Sequence, residues 1–161
     1  MNAMDTALTR RSLLTGLVAG VAAIAGGSRL FGAQRKPSLT VYKDANCGCC
    51  QNWVNYMEAK GYRSGVFNVD MAVIKKQHGI DANLQSCHTT LVAGYLIEGH
   101  VPEADVARLL REKPAGVRGL TIPGMPASAP GMDGRPFQPF TVLAFDKAGK
   151  TSVYARHTQP A

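Results

Sequence analysis

Three of the four cysteines in this chain fall within one stretch of four residues, Cys47-Gly48-Cys49-Cys50. The run before them, residues 39–43, is strand-like. After them Cys50, Trp53, Val54 and Met57 recur at the i, i+3, i+4, i+7 spacing of an amphipathic helix, predicted over about 47–60. The thiols therefore belong at a strand-to-helix turn, on the first turn of the helix. Free backbone N–H groups and the positive end of the helix dipole favour negative charge there. A thiolate is both the nucleophile of thiol exchange and a ligand for soft metals. Cys47 and Cys50 have the C-x-x-C spacing that lets two sulfurs converge. Cys49 supplies a third sulfur that a simple redox pair does not need.

The rest of the chain reads as a continuation of that unit. Asn46 is placed to cap the motif helix, Lys60 falls in its last turn, and Gly61 suits its end. Residues 65–69 read as a second strand, and Asp70 caps a short helix over 71–78. His78 is accounted for by the dipole at that helix end. Residues 89–93 and 95–98 form a hairpin around Gly94, preceded by Cys87-His88. Pro102 suits the first position of a third helix, whose buried face carries Val106, Leu109 and Leu110. Trp53, Val54, Leu91, Leu109 and Leu110 are expected to share one core on a sheet of at least four strands. Residues 140–145 and 151–156 read as a final hairpin, with His157 expected at the surface.

Between the third helix and that hairpin lies a stretch dense in turn formers. Gly occurs at 116, 119, 124, 131 and 134, and Pro at 123, 126, 130 and 136, so residues 116–136 are predicted as loop without strand or helix. The tripeptide Pro-Gly-Met appears twice in it, ending at Met125 and Met132. A Pro-Gly turn displays the following side chain, and a thioether is a soft ligand that suits Cu(I). The competing reading is that both methionines fold back to fill gaps in the core.

The 161 residues favour one folded domain, and 45% apolar content supports a sizeable core. The net charge of +7 is scattered, without a Lys/Arg run interleaved with aromatics, which argues against nucleic-acid binding. Thr9-Arg10-Arg11-Ser12-Leu13-Leu14, followed by a Gly/Ala-rich apolar stretch, reads as a twin-arginine export signal. The stretch is short for a membrane span. The expected division is an export signal over residues 1–33 and one metal-binding domain over 34–161, located in the periplasm or otherwise outside the cytoplasmic membrane. An uncleaved anchor is the alternative.

Two resemblances follow from these landmarks. The order strand, helix, strand, helix, hairpin, helix resembles a thioredoxin or glutaredoxin core, here with a Gly/Pro-rich loop and an added C-terminal hairpin. In those folds a cis-proline usually faces the cysteine motif, and Cys87-His88 stand at the corresponding place. The matching stretches Val41-Tyr-Lys43, Cys47-Gly-Cys-Cys50 with Trp53, Ser86-Cys-His-Thr89, Glu98-Gly-His-Val-Pro102 and the two Pro-Gly-Met turns together resemble the CopG family of bacterial copper-resistance proteins. That resemblance implies a thioredoxin-like fold, copper bound through cysteine sulfurs, and a role in periplasmic copper handling, including a change of copper oxidation state. By position, it carries metal-ligand roles onto Cys47, Cys49, Cys50 and Cys87, and with them His88, His100, Met125 and Met132.

Three functions are then in contention. The first is a copper-binding protein of the cell envelope, in which bridging thiolates hold more than one Cu(I), with other envelope copper-handling proteins as partners. The second is a thiol–disulfide oxidoreductase in which Cys47 attacks and Cys50 resolves. The third is a structural zinc site, chemically acceptable for these donors but serving small domains that lack a core.

Overall fold

The computed structural model describes residues 35–132, 134 and 136–159. The export signal expected over residues 1–33 lies outside them. Strand β1 (Leu39–Lys43) leads into helix α1 (Gly48–Ala59), then strand β2 (Ser64–Asn68) and helix α2 (Met71–Gln77). A 3-10 turn at Ala82–Leu84 precedes the hairpin β3 (Thr89–Val92) and β4 (Tyr95–Glu98). Helix α3 (Glu103–Glu112), β5 (Gly119–Thr121), β6 (Phe140–Phe145) and β7 (Thr151–His157) follow among the described residues. The architecture is mixed α/β, as expected, with one seven-stranded sheet in the order β2-β1-β3-β4-β5-β6-β7. β1/β2 and β4/β5 are parallel, and the other neighbours are antiparallel.

The periodicities translate into two apolar layers. Trp53, Val54 and Met57 of α1 and Val106 and Leu109 of α3 pack with Val41, Val92, Ile97, Leu120 and Val142 of the sheet. Each fully buried side chain of this size contributes roughly 1.5–3 kcal/mol. Ile80, Leu84, Leu96 and Phe145 form a second cluster, with Leu91 against it. The expected single core is corrected at this point. Successive strand residues face opposite sides, so Val92 joins the α1 layer while Leu91 joins the other. Leu110 is only partly buried against the first layer.

Three local expectations also change. Cys47, not Asn46, is the N-cap of α1, and it makes no side-chain cap. The turn is organised instead by Asp44, whose Oδ1 accepts from Asn46 N at 2.7 Å and whose carbonyl accepts from Cys47 N at 3.1 Å. The loop predicted over 116–136 contains strand β5, parallel to β4. Gly119 fits this strand because a Cβ there would collide with the Leu96 carbonyl and come within 2.7 Å of the Phe145 ring. Proximity of backbones, not turn formation, explains that glycine. Lastly, His157 is half-buried: its Nε2 lies 2.7 Å from Asp105 Oδ2, and its ring stacks on Phe140 at 4.7 Å.

Candidate metal centre

The start of α1 and the entry to β3 meet at one place. Cys50 lies on the apolar stripe of α1 and is fully buried, while Cys47, Cys49 and Cys87 are half-buried. Cys47 and Cys50 are joined as a disulfide, their Cα atoms 5.3 Å apart. Cys49 and Cys87 are free thiols, with Cys49 Sγ 3.6 Å from Cys47 Sγ. The four sulfurs all lie within 4.8 Å of one another. A second set, Cys50, Cys87, His88 and His100, meets the same 4.8 Å limit with one donor atom from each residue. The two sets share Cys50 and Cys87.

Both imidazoles are held from behind. His100 follows β4 in a loop tied to α1 by Trp53, whose indole N–H donates to the Val101 carbonyl at 2.9 Å. His100 Nδ1 donates to the Pro130 carbonyl at 2.7 Å, because a carbonyl oxygen can only accept. That leaves Nε2 with its lone pair 2.9 Å from Cys87 Sγ. A ligating histidine is ordinarily oriented in this way by its other ring nitrogen. His88 is packed between Trp53, at 4.6 Å between ring centroids, and His100, at 5.0 Å. Its Nδ1 lies 3.8 Å from Cys87 Sγ, and its buried Nε2 has no hydrogen-bond partner among the described residues.

Burial favours the neutral forms of His88, His100 and Cys87. Burial lowers His88 well below the usual 6.5, and the neighbouring His100, Lys75 and Lys43 lower it further. Burial also lowers His100, opposed by its bond to Pro130. Burial, followed by the charge of Cys49, pushes the Cys87 thiol up to about 12. The thiolate expected at a helix start therefore does not extend to Cys87, which sits on the facing loop. At neutral pH its S–H donates to the neutral His100. The Cys87 sulfur becomes anionic when a cation replaces its proton, as ligation by thiolate requires, whereas the imidazoles ligate in their neutral form.

The Gly/Pro segment reaches this region through its backbone. A Cβ on Gly131 (φ +85°) would come within 2.7 Å of Trp53 N and 3.1 Å of Cys49 O, so the loop lies directly on the first turns of α1. Of the two methionines, Met132 is half-buried against the α1 core layer, and Met125 is 45% exposed with φ +47°. The arrangement thus brings together Cys47, Cys49, Cys50, Cys87, His88 and His100, places Met132 beside the glycine that touches α1, and leaves Met125 facing solvent.

Sequence reasoning passed over the support for this centre. Glu98 and Lys75 form a buried ion pair beside the Cys87 segment, and Pro130 orients His100. A charged residue ending an otherwise apolar β4, opposite Thr89 in a predictable hairpin register, was the available signal for Glu98.

These features define a mixed α/β protein with a thiol–imidazole cluster, at metal-ligand spacing, at the head of its first helix. The relatives agree with that description. A family described as a protein of unknown function, DUF411, matches residues 84–132. No curated protein matches the sequence. The solved structure titled copper resistance protein copG, form 1, is 35% identical, with a TM-score of 0.71, covering 77% of this chain and 99% of its own. Form 2 is also 35% identical, with a TM-score of 0.69, covering 76% of this chain and 98% of its own. The chain belongs to the CopG family. Among the described residues no helix is long and apolar enough to cross a membrane.

Proposed function

We propose that this protein binds Cu(I) in the cell envelope and serves copper resistance, holding the ions on Cys47, Cys49, Cys50 and Cys87 with His88 and His100 at the inner side. The observation that carries the reading is the convergence of four sulfurs within 4.8 Å. Four thiolates at that separation repel one another, and monovalent soft cations sharing bridging sulfurs remove the repulsion. Bridging gives the site capacity for more than one ion. The two structural relatives, both copper resistance protein copG, support the choice of metal. The Arg10-Arg11 motif supports export in the folded state, with the thiols already enclosed.

Loading on all four sulfurs requires the Cys47–Cys50 bond to be opened. Two electrons and two protons from a dithiol reductant convert it to two thiols, and each ion then displaces protons from sulfur. The test is Cu(I) titration of the reduced protein against a chelator, beside Zn(II), with metal analysis of protein taken from the exported fraction. More than one Cu(I) per chain, bound in preference to Zn(II), is expected. A single tightly held Zn(II) with no Cu(I) uptake defeats the reading.

The disulfide itself supports a second reading, a thiol–disulfide oxidoreductase working through Cys47 and Cys50. Cys49 and Cys87 have no task in that scheme, which is why it ranks second.

A further inference from the structure

Glu98 ends β4 and is completely buried, although its side chain is acidic; burial pushes its carboxyl upward, and the Lys75 ammonium, the Thr89 hydroxyl and the Ser86 amide pull it back. Its partners come from three directions. Lys75 of α2, itself buried, reaches Oε1 with its ammonium group. The Ser86 backbone N–H donates to the same oxygen at 2.7 Å, and the Thr89 hydroxyl donates to Oε2 at 2.6 Å. Ser86 and Thr89 are the residues on either side of Cys87-His88. One carboxylate thus grips both ends of the dipeptide that supplies a sulfur and an imidazole to the cluster.

A buried ion pair is a weak device for stability. Apolar replacements of similar volume are often neutral or stabilising, because desolvating two charges costs as much as their attraction returns. What the pair does supply is geometry. A carboxylate held in place by an ammonium presents two fixed acceptors, and among the described residues the other ties of the Ser86–Thr89 segment are the bond from Gly99 N to His88 O, at 2.8 Å on the same β4 side, the pairing of Thr89 with Tyr42 of β1, and the 2.9 Å contact of Cys87 Sγ with His100 Nε2.

We propose that Glu98, fixed by Lys75, is the positioning residue of the centre, holding Cys87 and His88 against the cysteines of α1. The inference deepens the metal-binding reading and rests on it. Glu98 touches neither sulfur nor ion; it acts through the Ser86–Thr89 backbone. Supporting groups of this kind typically change metal affinity by about 10–100-fold when removed.

The test compares two double variants. Lys75→Met with Glu98→Leu removes both charges together and with them the clamp. Lys75→Met with Glu98→Gln also removes the charges but keeps a carbonyl oxygen for the Ser86 amide, and its NH2 faces a Thr89 hydroxyl that turns to accept. Each is measured three ways: a thermal melt of the oxidised, metal-free protein; the alkylation rate of Cys87 in that form, resolved by peptide mass; and Cu(I) competition after reduction. The Leu variant should melt as a folded protein, alkylate Cys87 faster and hold Cu(I) about 10–100-fold more weakly. The Gln variant should stay near wild type on all three. A folded Leu variant with wild-type alkylation and wild-type Cu(I) affinity overturns the proposal. Should the Leu variant not fold, Thr89→Val decides, since it removes one grip with little change of shape. Faster Cys87 alkylation and weaker Cu(I) binding support the clamp, and no change in either overturns it. Wild-type protein that takes up no Cu(I) defeats the metal reading, while the metal-free alkylation rates still judge the clamp.

Discussion

His100 donates a hydrogen bond from its Nδ1–H to the carbonyl oxygen of Pro130, 2.7 Å away, and so turns its other nitrogen toward Cys87. A residue of the Gly/Pro segment thereby sets the tautomer of the cluster histidine that follows β4. The segment keeps that position by lying on α1 at Gly131.

Gly131→Ala should therefore be costly. The position has φ +85°, and an added Cβ meets α1 backbone, which cannot move aside. A loss of about 1–3 kcal/mol is expected from overpacking alone. Urea unfolding of the metal-free protein measures it, and Gly124→Ala, where a Cβ meets open space at φ +74°, is the control for backbone strain. Equal losses at the two sites would show that contact with α1 adds nothing.

The buried imidazoles predict acid sensitivity. Both His88 and His100 are held below the ordinary 6.5, so the unfolded chain binds their protons first as pH falls. The stability tied to their neutral form is complete above about 6.5 and is lost as pH drops toward their folded values. Unfolding free energy of the metal-free protein should decline between about pH 7 and pH 5, and the decline should be shallower in His88→Gln/His100→Gln. Parallel pH profiles for the two proteins would refute the assignment.

Cys49→Ser separates the two functional readings. A Cys47–Cys50 redox couple survives the change, whereas a bridging ligand is lost. Copper stoichiometry should fall at least as far as in Cys47→Ser, measured by Cu(I) titration of the reduced proteins. Full copper loading together with undiminished disulfide reductase activity would favour the oxidoreductase.

The two methionines should behave differently. Met132 follows the glycine packed on α1, whereas Met125 points to solvent. Replacement by Leu conserves volume and should cost less than about 1.5 kcal/mol at either position. Weaker Cu(I) retention is expected from Met132→Leu and none from Met125→Leu, read by chelator competition beside an apo melt. Unchanged retention in both variants would remove the methionines from the site.

Local pattern carried much of this structure, and long-range proximity carried the remainder. The α1 stripe of Cys50, Trp53, Val54 and Met57 was legible because helical periodicity reports directly on the buried face. The turn chemistry of Asp146–Gly149 likewise announced the last hairpin; Asp146 Oδ1 accepts from Ala148 N and Lys150 N. Strand β5 was not legible, because three residues carry no period and Gly119 reads as a breaker until Phe145 is seen beside it. The meeting of Cys87 with the α1 sulfurs was expected from the family pattern. The grips of Glu98 and Pro130 depend on contacts between distant segments that no local motif encodes. The half-burial of His157 depends on such a contact too, since its partner Asp105 lies on α3.

The separation of Cys87 from the other three cysteines also ties metal occupancy to chain folding. An unfolded chain can offer a passing ion the three neighbouring sulfurs of 47–50, but the fourth arrives only once β3 has paired with β1. An ion that uses all four sulfurs therefore prefers the native state and stabilises it in proportion to the logarithm of its concentration over its dissociation constant. Thermal denaturation midpoints should climb with free cuprous ion after reduction, so a melting curve doubles as a gauge of how much metal the folded population has captured.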